Sequence, residues 1–146
     1  MLPSEQDPDN LQRFLTAQAE DYECALGELK RGRKESHWIW YIFPQVAGLG
    51  HGSMAREYAI QSRGEAVAYL KHPVLGARLR ECAEALLTHQ GKRIEDIMGY
   101  PDDLKLRSSM TLFATISMQD SIFHKVLDTF YSGETDVRTI VFLEVR

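Results

Sequence analysis

A chain of 146 residues with 44% hydrophobic and 26% charged residues has the size and make-up of one globular domain, which excludes wholesale disorder and collagen-like repeats. Its formal charge of −4 gives no general attraction to phosphate backbones, so nucleic acid is not an expected partner. The start MLPSEQDPDN has neither the basic opening nor the apolar stretch of a secretory signal, and no apolar run reaches membrane-spanning length; the expected setting is cytoplasmic, with no membrane partner.

Residues 1–9, with Pro3 and Pro8 and no periodicity, read as a flexible leader ending in a helix cap at Asp7 or Asp9. A single domain is expected over 10–146. Leu11, Phe14, Leu15, Tyr22, Leu26 and Leu29 recur at helical spacing and predict a first long helix ending near Gly32. The basic residues at its end, Lys30, Arg31, Arg33 and Lys34, suit the negative pole of a helix dipole.

Ser36 is placed to cap a short apolar run from His37 to Phe43 that stops at Pro44, read as a buried helix because no second strand-like segment lies nearby to pair with it. A glycine-rich loop, Val46 to Gly52, leads to Ser53 as the cap of another short helix. Ser62 and Glu65 fit a capping box for a helix reaching about Lys71. Pro73 suits the first turn of the next helix, with Leu75, Leu79, Cys82 and Leu86 on its apolar face and Gly91 at its end.

Ile94 to Met98 makes one or two turns stopped by Gly99, and Pro101-Asp102-Asp103 opens a longer helix through Leu106, Met110, Phe113 and Ile116. A further helix runs from Ile122 towards Gly133. The last segment, Val137 to Glu144 after Asp136, reads as helix or strand. The fold class is all-α, a compact multihelical single domain of about six to eight helices, with Trp38, Trp40, Phe43, Tyr58, Leu75, Leu79, Met110 and Phe113 mostly buried.

The strings SHWIWYIFPQVAGLG, YAI, HPVLGARL and DDLKLRSSMTLF resemble those of the bacterial domain-of-unknown-function family 1810, over roughly Asn10 to Leu143. The resemblance implies a compact multihelical fold and no particular reaction. The label calpastatin, sometimes attached to that family, would imply a disordered, repetitive inhibitor, which the periodic, core-rich sequence contradicts. His51-Gly52 departs from the Arg or Ser that the family pattern carries after G-L-G, which argues against a shared catalytic role for His51.

Three segments are unusual enough to carry chemistry. Trp38 and Trp40, with Gln45, could line a pocket that stacks a base or sugar, against the plainer role of core anchors. Gly48, Gly50 and Ser53 form a loop running into a helix, whose free amides could hold an anion; the plain alternative is a connector. Asp103, Lys105 and Ser109 lie on a helix where an ammonium could stand beside a hydroxyl, although acids at a helix start and small serines at a packing face explain the same residues. His37 is a weaker acid–base candidate.

The histidines are scattered, the cysteines Cys24 and Cys82 are expected to be buried and reduced, and no motif asks for a metal or cofactor. Two functions stay open. One is a pocket for a small anionic or nucleotide-like ligand, which requires a cleft joining at least two of the three segments; if catalytic, it would run a hydrolytic or transfer reaction through Lys105 and Ser109. The other is a non-enzymatic protein-interaction module, marked by an exposed apolar patch.

Overall fold

The computed structural model describes residues 6–145, so most of the expected leader lies outside the described residues. Among them are nine helices: α1 Gln12–Arg31, α2 Ile39–Ile42, α3 Ser53–Glu57, α4 Arg63–Lys71, α5 Leu75–Leu87, α6 Ile94–Met98, α7 Asp102–Thr115, α8 Ile122–Tyr131 and α9 Val137–Val145. The number slightly exceeds the six to eight expected, because single-turn pieces such as α2, α3 and α6 each count and because 137–145 is helical. No helix among the described residues is long and apolar enough to cross a membrane.

The start of α1 is set by Asp7, whose carboxylate accepts from the amides of Leu11 at 2.7 Å and Gln12 at 3.0 Å. The helix ends as predicted, on Gly32 in the left-handed conformation. Ser62 accepts from the amide of Glu65 at 3.1 Å, while the Glu65 carboxylate turns back to the amide of Gln61. Two expected caps are not caps. Gly52, not Ser53, occupies the N-cap of α3, and the Ser36 hydroxyl points away from α2 to Glu28. Pro73 lies in a turn ahead of α5, which is capped instead by His72 Nδ1 accepting from Val74 and Leu75.

Helix α7 is the hub. It packs against α2, α4, α6, α8 and α9, and every residue from Ser108 to Ala114 is buried. Small hydroxyl residues make this possible, because Thr111 bonds back to the Arg107 carbonyl and Ser108 to that of Leu104, which satisfies them without water. A string of ring contacts, Phe14 to Tyr69 to Phe113 to Phe123, runs through the core with centroids 5.0 to 5.8 Å apart.

The loop 47–59 is pinched at its base. Val46 and Ile60 form an isolated parallel bridge, and Arg13 holds the returning end by donating to the carbonyls of Glu57 and Ala59 and pairing with Glu65 at 2.6 Å. Gly50 is required there by close approach, since a Cβ would lie 2.6 Å from that of Ala55.

Candidate functional site

A cleft of about 410 Å³ lies where the pinched loop faces the first turns of α7 and the start of α9. Trp40 and Gln45 form one side, main chain from Gly50 to Gly52 a second, and Lys105, Ser108 and Arg138 the remainder. It falls within the size range of small-molecule sites. The three segments singled out by sequence each contribute a wall.

The two cations of the cleft are loosely held. Lys105 Nζ stands 3.4 Å from Asp102 and 5.3 Å above the Trp40 ring, and Arg138 Nε lies 3.7 Å from Asp136 with its side chain 69% exposed. By contrast Lys34, almost fully buried, pairs with Asp102 at 2.7 Å and lies over the Trp38 ring. Lys34 therefore fixes the loop after α1 onto α7, while Lys105 and Arg138 keep charge directed at the opening.

Behind the cleft wall sits Asp136. Its carboxylate accepts from the hydroxyls of Ser108 and Thr139, each at 2.7 Å, and its amide donates to Thr111. Burial pushes this carboxyl up, but the Ser108 and Thr139 hydrogen bonds outweigh it and hold the group below the ordinary aspartate value.

The remaining candidates lie elsewhere. Trp38 is in the core, 1% exposed, its indole donating to Glu28 at 2.9 Å. Trp40, two positions on, faces the cleft and is only half-buried, as is Tyr58, against the expectation that they would be mostly buried. Ser109 is fully buried and its hydroxyl has no hydrogen-bond partner among the described residues, because it shares the core-facing stripe of Leu106 and Phe113. It does not stand beside Lys105 in the cleft, so no Lys105–Ser109 pair forms. Asp103 is also buried, with its carboxyl raised by desolvation. Gly48, Ser53 and His37 are exposed and line no part of the cleft.

Cys24 is exposed and so departs from the expected burial, because it lies off the core face of α1, whereas Cys82 is buried and its thiol is pushed up to about 12. No group of three or more His, Cys, Asp or Glu among the described residues is placed to hold a metal. Arg138 and Asp136 are what sequence reasoning missed: each looks like an ordinary polar residue flanking an apolar segment, and only the packing of α9 on α7 brings them to the cleft.

The profile of the family described as protein of unknown function, DUF1810, matches residues 8–143. The chain belongs to this family. A comparison with curated proteins yields no match. Among solved structures, the DUF1810 chain is similar to the conserved hypothetical protein Rv1873 from Mycobacterium tuberculosis, with 48% identity, a TM-score of 0.93, and coverage of 96% of this chain and 100% of that one.

Proposed function

We propose that the cleft binds a small organic anion with a flat or sugar-like body, a nucleotide-like ligand being the best fit. The observation that carries this is the placement of Lys105 and Arg138, from two different helices, at one cleft beside the half-buried indole of Trp40. Indole supplies a stacking surface, Gln45 an orienting amide, and the absence of a side chain at Gly52, with open space around it, lets a ligand approach the main chain. Among the described residues, the ion pairs at and beside the cleft set three cations, Lys34, Lys105 and Arg138, against two carboxylates, Asp102 and Asp136, so the local balance is positive within a chain of net charge −4.

The test is a thermal-shift screen against nucleotides, sugar phosphates and metabolite carboxylates, repeated on Lys105→Ala and Arg138→Ala. A ligand at 100 times its dissociation constant stabilises the native state by about 2.7 kcal/mol. The expected result is a nucleotide-like hit that weakens with salt and is lost in both variants. Silence across the library with folded protein, or a hit indifferent to both substitutions, overturns the reading.

A second reading, a protein-interaction module, draws on α9, where Val137, Val141 and Val145 recur every four residues and are 69%, 50% and 75% exposed. It expects concentration-dependent association that Val141→Asp abolishes. Sedimentation of parent and variant as equal monomers weighs against its self-associating form.

A further inference from the structure

A larger groove, of about 640 Å³, shares no lining residue with the cleft. It lies between α4, α5 and the turn joining α7 to α8. Its floor is aliphatic: Val67 and Leu70 from α4, Ile116 after α7 and Ile122 from α8, all half-buried where a packed core would cover them. Cations stand at its edge. Lys71 and Arg80 are exposed and, among the described residues, form no hydrogen bond or ion pair; one carboxylate, Glu84, lines the same groove. Met118 at the lip is 88% exposed, an unbranched side chain that adapts to varied apolar shapes.

An apolar floor, in a groove lined also by two cations that are unpaired among the described residues, against one carboxylate, matches a ligand with an apolar and an anionic half. We propose that this groove binds an apolar-tailed carboxylate, its acyl chain lying on Val67, Leu70, Ile116 and Ile122 and its carboxylate meeting Lys71 and Arg80. The tail supplies most of the affinity by burial, and the two cations choose the charged head over a neutral one. The chain's overall charge of −4 would otherwise repel an anion, so these two side chains decide the selectivity.

The experiment titrates methyl-labelled full chain with decanoate, decanol and butyrate, following the methyl signals of the four floor residues by NMR. Lys71→Gln and Arg80→Gln, at exposed positions without partners, leave the fold intact and serve as the variants. Decanoate is expected to shift the floor signals while butyrate does not. Each variant should weaken decanoate by about threefold, and the double variant by about tenfold, with decanol unaffected. Floor signals unmoved by decanoate overturn the proposal. So do equal binding of butyrate or decanoate affinity unchanged in the double variant. The Trp40 indole signal should stay still throughout, which separates this site from the cleft.

Discussion

The hydroxyl of Ser108 donates to the carboxylate of Asp136 at 2.7 Å, and through this bond the central helix α7 holds the last helix, α9, against the cleft. The same carboxylate takes the Thr139 hydroxyl and lies nearest to Arg138, so one buried group both docks α9 and places a cation of the candidate site. Hydrogen bonds to a charged acceptor are each worth about 1.5–3 kcal/mol, and removing the acceptor strands the buried Thr139 hydroxyl and leaves Ser108 only its longer bond to the Leu104 carbonyl. Asp136→Ala is therefore expected to lower stability by about 3 kcal/mol in denaturant unfolding and to raise amide exchange selectively across 137–145. Unchanged protection of α9 in a folded variant would mean that apolar contacts alone dock it.

The two tryptophans give separate signals. Trp38 is sealed in the core with its indole bonded to Glu28, whereas Trp40 faces the cleft beneath Lys105. Ligand binding in the cleft should change the fluorescence of the parent and of Trp38→Phe, and Trp40→Phe should lose the response. A response that survives in Trp40→Phe would place the ligand elsewhere.

Trp38 and Trp40 share one expected role and one expected burial in the sequence, yet Trp38, the residue before α2, is sealed in the core while Trp40, inside α2, faces the cleft; only the packing of that short helix separates them. What the sequence made legible were α1 with its glycine stop and the Ser62–Glu65 cap, because each rests on local pattern, whereas the meeting of Gln45, Gly50 and Lys105 at one cleft depends on tertiary packing. The burial of helix α7 was not legible. Its Ser108 and Thr111 look like a polar face opposite an apolar stripe, but five neighbouring helices surround it, and short hydroxyl side chains that bond to their own backbone behave there as core residues. Arg138 was invisible for a related reason: nothing local distinguishes an arginine on an apolar segment until tertiary packing aims it.

Glu28 predicts an acid limb in the stability curve. Its carboxylate is 2% exposed and accepts from the Ser36 hydroxyl at 2.6 Å, the Glu35 and Ser36 amides, and the Trp38 indole. Burial pushes its pKa up, but these donors outweigh it and pull the value from an ordinary 4.5 down to about 2. A folded value below the unfolded one stabilises the native state fully above pH 4.5, and that contribution is lost as pH falls towards 2. The size is roughly 3 kcal/mol. Glu28→Gln should be less stable than the parent at neutral pH and should show a shallower decline between pH 5 and 2 in urea unfolding. Parallel pH profiles for the two proteins would mean that the loop 34–38 does not depend on this charge.

Gly76 and Gly27 test the packing of helices by one substitution with opposite outcomes. Both are helical, and alanine is a better helix former than glycine by about 1 kcal/mol. At Gly27 an added Cβ meets only the end of the Arg31 side chain at 3.3 Å, which can swing away, so Gly27→Ala should stabilise by close to that amount. At Gly76 the Cβ would lie 2.1 Å from the Leu70 carbonyl oxygen, part of the α4 backbone that no rotamer change can move. The short turn through His72 and Val74 presses α5 against the end of α4, so relief requires the two helices to part, and overpacking of this kind costs about 1–3 kcal/mol beyond any gain in propensity. Gly76→Ala should therefore destabilise by about 2 kcal/mol and disturb Leu70, on the floor of the apolar groove, while Gly27→Ala leaves that groove untouched. Urea unfolding of the two variants side by side reads the sign directly, and a stabilised Gly76→Ala would show that α4 and α5 are free to separate at no cost.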